Sequence, residues 1–254
     1  MLSKRRVFLL AIPILLAVCA VAQTQPGRIV QIGVQVPKPG AAAQYEAGRK
    51  KHMDFHKQQN DAWAWHTWQV TTGEGAGTYV TGSFSHQWKD FDGREKFQEA
   101  DGTDFDTNIA PSLAKSETSY WTFRSDLSRL KTEGDFDAPM LTVIHFYLNP
   151  EGGPTFIDAV KRVNQGIDKA KYPAPPSRWY QLVNGGEGPH FVLVAPRANW
   201  AAMGVPEKTI DDAMTDAYGK VEGAALMSTL RKSARRIYTE ILEHRSDLSY
   251  MPGK

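Results

Sequence analysis

The feature that most constrains this chain is a stretch that comes back. Trp68 to Trp88 reads WQVTTGEGAGTYVTGSFSHQW, and Tyr180 to Trp200 reads YQLVNGGEGPHFVLVAPRANW. Tyr79-Val80 returns as Phe191-Val192, and Trp88 as Trp200, at a spacing of 112. Gly73-Glu74-Gly75 returns as Gly186-Glu187-Gly188, and Pro37 and Gly40 as Pro150 and Gly153, at 113. Arg124-Ser125-Asp126-Leu127-Ser128 returns as Arg245-Ser246-Asp247-Leu248-Ser249, at 121. The matches are collinear. Their period is that of a domain, several times longer than a solenoid or propeller repeat. The sequence therefore predicts one unit of roughly 110 residues, present twice in tandem. With 254 residues, 23% charged and 11% aromatic, the chain can bury two such cores.

The first 22 residues predict a secretory signal, so the expected location is periplasmic or secreted. Lys4-Arg5-Arg6 is a basic start, Val7 to Val18 an apolar run, and Ala20-Val21-Ala22 an A-x-A site before Gln23. The run is too short for a spanning helix, which needs ~20 apolar residues. Arg5-Arg6-Val7-Phe8-Leu9 also resembles a twin-arginine signal, but the pair sits close to the start, so general secretion is favoured. Val18 before Cys19 argues against lipidation, and cleavage after Ala22 would remove the only cysteine. The 30 Lys and Arg less Lys4, Arg5 and Arg6 leave 27 against 28 acidic residues, about −1. That balance predicts neither a nucleic-acid partner nor, once the signal is cleaved, a membrane surface.

Periodicity supplies the elements. Val30, Ile32, Val34 and Val36 alternate with Gln31, Gly33 and Gln35, a half-buried strand. Ala41 to Asn60 is a proline-free helix, Ala62 to Thr72 and Thr78 to His86 form a hairpin around the Gly-Glu-Gly turn, Gly93 to about Asp101 is a short helix, and Thr118 to Arg124 is a strand. The second half predicts strand Met140 to Leu148, helix Pro154 to Lys171, hairpin strands Arg178 to Val183 and His190 to Ala195, a long helix from Glu207 to about Arg231 with a break at Gly219 or Gly223, and a strand from Thr239 to Arg245. Each half reads β-α-β-β-α-β, the ferredoxin-like plait. The expected division is 28–131, a linker at 132–138, and 139–250. Each plait hides one sheet face under helices and leaves the other in need of a partner, which a duplicated chain supplies from itself. The fold class is thus α+β, an intrachain pseudo-dimeric barrel; further oligomerisation is left open.

This element order and tandem repeat resemble the dimeric α+β barrel superfamily, which holds the antibiotic-biosynthesis monooxygenase-like and NIPSNAP-like domains. The resemblance covers about residues 28–250 and rests on no diagnostic motif. It implies a site for a small apolar molecule. Some members are cofactor-free monooxygenases and some bind haem, so haem is the one cofactor the resemblance brings in; the residues themselves call for none.

The histidines and strand aromatics are the candidates for chemistry. His66 shares a strand face with Trp68 and Val70, and Trp65, Thr67 and Gln69 share the other. The matching positions in the second half are Arg178, Tyr180, Leu182 and, for Gln69, Gln181. His145 sits beside Tyr147 on the more apolar strand, and His190 follows the second Gly-Glu-Gly turn. His66 and His145 are the candidate bases or haem ligands; Trp68, Gln69, Tyr147, Arg178, Tyr180 and His190 are the candidate ligand contacts. His52 and His56 have the i, i+4 spacing of metal ligands, but the segment lacks the Glu of H-E-x-x-H and Asp54 points elsewhere on a helix. A partly solvated helix face is the expectation, and no metal site is predicted. Glu74 and Glu187 read as solvated turn residues, and the two Arg-Ser-Asp-Leu-Ser segments as local structural turns. The first reading is a binder of a small apolar or aromatic molecule, the second a monooxygenase-like enzyme, the third a structural module.

Overall fold

The computed structural model describes residues 28–133, 137–204 and 206–253. The expected signal segment and the middle of the expected linker, 134–136, lie outside the described residues. The elements run β1 Ile29–Pro37, α1 Ala42–Gln58, β2 His66–Val70, β3 Tyr79–His86, α2 Trp88–Asp92, α3 Glu95–Asn108, β4 Leu113–Phe123, β5 Met140–Leu148, α4 Gly153–Lys169, β6 Arg178–Asn184, β7 His190–Arg197, α5 Ile210–Tyr218, α6 Lys220–Lys232 and β8 Ala234–His244. The eight strands close a barrel in the order β1-β3-β2-β8-β5-β7-β6-β4, with every pair antiparallel. Two seams close it: Trp68 opposite His244 between β2 and β8, and Trp121 opposite Leu182 between β4 and β6. Closure leaves no open edge for another chain to extend, which argues against the edge-pairing structural module.

Period-2 alternation decides what enters the barrel. Val30, Trp68, Val70, Trp121, Phe123, Leu141, Val143, Tyr180, Val192 and Leu242 form its inner cluster. Outside, the two halves differ. Phe146, Leu148, Trp179 and Phe191 meet Phe156 and Val160 of α4 in a dry layer, and α5 and α6 pack on α4 through Ile167, Met214 and Leu226. Under α1 the layer is mixed: Tyr45, Tyr79 and Ile109 are buried, but so are Gln35, Arg49, His52, His56 and Thr67. The sequence expectation of a solvated His52/His56 face is therefore corrected, because α3 covers it. That helix also runs seven residues past the expected end at Asp101, to Asn108. Gly48 allows the cover: a Cβ there would stand 1.9 Å from the Asn108 carbonyl oxygen.

The expected break in the last helix falls at Gly219, whose φ of 84° separates α5 from α6. The repeated Arg-Ser-Asp-Leu-Ser segments do the same work in each half. Ser128 Oγ donates to the Arg124 carbonyl (2.7 Å) and accepts from Trp179 N–H (2.8 Å); Ser249 Oγ donates to the Arg245 carbonyl (2.8 Å) and accepts from Thr67 N–H (2.9 Å). Leu127 and Leu248 are fully buried beside them. Among the described residues no helix is long and apolar enough to cross a membrane.

Candidate functional site

The barrel encloses a cavity of about 560 Å³, within the range of small-molecule sites, ~300–1,000 Å³. Its middle is apolar: Val30, Ile32, Val80, Leu141, Val143 and Val192, with Trp68, Phe84 and Trp121 as aromatic walls. At one end the described residues of the connector after β4 pack against the barrel. There Arg178 Nε donates to the Thr132 carbonyl (3.0 Å), Ser85 Oγ to Glu133 Oε2 (2.7 Å), and Ala138 packs on the inner cluster. Burial raises the Glu133 carboxyl above its ordinary pKa, against the pull of Ser85, Arg28 and Arg178. The other end carries both Gly-Glu-Gly hairpins, and the expectation for Glu74 and Glu187 holds: both are exposed. Arg236 reaches Glu74 at 2.7 Å and Arg235 reaches Glu187 at 2.6 Å across this rim.

Just inside that mouth three polar side chains converge. His145 Nε2 lies 3.1 Å from Glu240 Oε1, and His145 Nδ1 lies 3.1 Å from His190 Nε2. Register explains the meeting: His145 on β5 stands opposite Tyr238 on β8, with Glu240 two residues further along the same inward face, and Tyr147 stands opposite His190. With Glu240 accepting, His145 carries its proton on Nε2 and accepts from His190 Nε2–H, which leaves Nδ1 of His190 as the basic nitrogen. Tyr238 stacks on His145 at 4.3 Å and Tyr147 on His190 at 3.9 Å, so both rings are held in plane. Burial first, then the neighbouring His145 and Arg235, lowers the His190 pKa to about 3, so it is neutral at ordinary pH.

Six of the eight candidates meet on this cavity: Trp68, His145, Tyr147, Arg178, Tyr180 and His190. Gln69 does not; alternation turns it outward, where Nε2 donates to the Tyr79 hydroxyl at 3.4 Å. His66 is buried beyond Trp68, stacked on it at 5.5 Å, with Asp137 Oδ1 3.7 Å from Nδ1, and takes no part in the cavity wall. Trp68 Nε1 and the Tyr180 hydroxyl are buried with no hydrogen-bond partner among the described residues. Such orphaned donors cost about 1–3 kcal/mol each and are the groups a ligand oxygen would satisfy. Glu240 was not among the candidates. Its signal was present, since an acidic residue inside a β-branched strand facing a histidine strand is unusual, but its partner is 95 residues away.

No protein-family model matches the chain, and no curated protein matches it in sequence. Solved structures do. A putative monooxygenase from Lactobacillus acidophilus NCFM superposes with a TM-score of 0.53 at 12% identity, over 89% of this chain and 97% of that one. An anthrone oxidase-like protein gives 0.56 at 13% identity, over 91% and 95%. A mutant chlorite dismutase from Candidatus Nitrospira defluvii gives 0.55 at 10% identity, over 88% and 94%. The fold shared with these structures is an α+β barrel. At such identities the likeness carries the fold alone.

The resemblance to the dimeric α+β barrel superfamily brought in haem, and the barrel interior can be tested for it. An axial histidine needs a ring nitrogen open toward the iron. Both nitrogens of His145 are engaged, by Glu240 and His190, and His66 lies outside the cavity wall. Neither candidate ligand fits haem in this cavity.

Proposed function

We propose that the chain binds a small, largely apolar aromatic molecule inside the barrel, with its polar edge toward His145, Glu240 and His190. The observation that supports this is the apolar cavity of about 560 Å³ with one convergent polar group set at its mouth. Trp68 and Trp121 lie in the wall, so binding quenches or shifts their fluorescence. Titration with 2-naphthol should be saturable and one-to-one, and Val143→Phe, which fills the cavity, should weaken it at least tenfold. Absence of saturable quenching by 2-naphthol and naphthalene would refute the reading.

A second reading makes the same site catalytic. It draws on the chain Glu240–His145–His190, in which a carboxylate fixes one imidazole and that imidazole orients the base. His190, through the Nδ1 left free by that hydrogen-bond chain, would take a proton from a phenolic O–H or an acidic ring C–H of the bound molecule. The names of two neighbours, a putative monooxygenase and an anthrone oxidase-like protein, agree with oxidation of such a ring. Anthrone in air is the substrate to try, with oxygen consumption as readout. His190→Gln should abolish turnover and leave 2-naphthol binding within a few-fold.

We also read the two halves as tandem copies, 28–131 and 139–250, closing a pseudo-dimer. The collinear repeat and the paired roles of Ser128 and Ser249 support this. The signal-like pattern of the N-terminal 22 residues supports a site of action in the periplasm or outside the cell; fractionation of the natural host tests it.

A further inference from the structure

On the opposite side of the sheet from the barrel cavity, α1 and α3 cover a separate polar chamber of about 240 Å³. At its edge three ligand atoms form a nearly equilateral triangle. His52 Nε2 and His56 Nε2 are 3.3 Å apart, and Asp101 Oδ1 is 3.4 Å from the first and 3.2 Å from the second. We propose that His52, His56 and Asp101 bind a divalent first-row transition metal ion, with a coordination position open toward the chamber.

Four observations carry this. The first is size: ligands about 2.0–2.1 Å from a tetrahedral ion stand about 3.3–3.4 Å from one another. The second is the far side of each ring. His52 Nδ1 lies 2.7 Å from Asp104 Oδ1, and His56 Nδ1 lies 2.8 Å from Asp61 Oδ2. With those carboxylates accepting, both histidines present an Nε2 lone pair to the triangle, the carboxylate–histidine–metal arrangement. Asp61 is itself fixed, by both Arg94 nitrogens, Trp65 Nε1–H and the Trp63 N–H.

The third observation is that Asp101 Oδ1 is buried and faces the two Nε2 atoms, with no well-aligned hydrogen bond of its own. Two lone pairs and a carboxylate oxygen facing one point repel unless a cation stands there. The fourth is that the space is specific to this half. At the repeat spacing of 113, Gly33, Gln35, His52 and His56 give way to Phe146, Leu148, Gln165 and Lys169, and α4 closes on Phe146. Two histidines and one carboxylate on one face, with open positions, is the donor set of catalytic zinc and non-haem iron sites.

The charges facing the site are Asp61, Asp101 and Asp104 against Arg94 and Arg49. Arg49, one turn before His52, is the nearest like charge on the same helix face; its Nε donates to Thr67 Oγ1 and the Leu248 carbonyl, away from the triangle. The competing arrangement is a proton on His56 Nε2 shared with Asp101 and His52, which needs no metal.

The test is Zn(II) titration of the metal-free full chain against a chromophoric chelator, with Co(II) absorption reporting coordination. The expected result is one equivalent per chain. Asp101→Asn should reduce affinity more than 100-fold, and Asp104→Asn by about 10–100-fold through the ring it holds. Both changes lie on the partly exposed side of α3, and far-UV circular dichroism confirms that each variant is folded. The proposal is overturned by no uptake of Zn(II) or Co(II). It is equally overturned if uptake survives Asp101→Asn unchanged, or if it is lost instead in His244→Gln, which would place the ion at the second cluster, His66, Asp137 and His244.

Discussion

Gly48→Ala separates two opposing effects that the structure puts at one position. In an exposed helix the change would stabilise by up to about 1 kcal/mol, because alanine restricts the unfolded backbone. Here the new Cβ meets the Asn108 carbonyl oxygen at 1.9 Å and its carbon at 2.9 Å. Both are backbone atoms at the end of α3, so no side chain can rotate away, and α3 must move by more than an ångström. Overpacking of that kind costs about 1–3 kcal/mol. The net expectation is a loss of about 1–2 kcal/mol, or a Tm lower by about 2–8 °C for a chain of this size. Gly102→Ala is the matched control: it sits within α3 with nothing within 4 Å of its Cβ. It should gain about 0.5–1 kcal/mol from propensity alone. Urea melts of the two variants give the comparison. If Gly48→Ala proved as stable as the parent, the close approach of α1 and α3, and with it the cover over His52 and His56, would be wrong.

Phe156→Ala removes a fully buried ring from the dry layer under α4 and should cost about 3–5 kcal/mol in a chemical melt. Ser128→Ala and Ser249→Ala each leave a strand N–H, of Trp179 or Thr67, without its acceptor; each should cost about 1–3 kcal/mol, and the two costs should agree within about 1 kcal/mol. His190 and His86 have pKa values lowered by burial, to about 3 and about 4. The unfolded chain therefore binds protons first, below pH ~6.5, and stability is full above that value and falls as pH drops toward 4. Replacing both by Gln should flatten the dependence of the urea midpoint between pH 6.5 and 4; an unchanged slope would contradict the burial of these rings.

Local pattern carried much of this fold. Alternation along Val30, Ile32, Val34 gave the inward face of β1, the glycine-rich turns gave both hairpins, and Gly219 marked the break between α5 and α6. Six of the eight candidate residues reach one cavity for the same reason: a strand of known register has only two faces. Gln69 was misplaced as a contact although its own alternation put it on the other face. His66 was assigned the right face but lies past the end of the open space, and alternation alone does not say how far along a strand a cavity extends.

The sequence by itself determined which residues share a strand face and where helices begin and break, because these follow from periods of 2 and 3.6 read along one dimension. Only the tertiary structure decided which faces close on each other. Glu240 meets His145 across 95 positions, and Asp101 reaches His52 and His56 across a helix crossing that a single glycine permits. Such partners are set by how helices and strands pack, and packing depends on the shape of both surfaces at once, which no local period along the chain encodes.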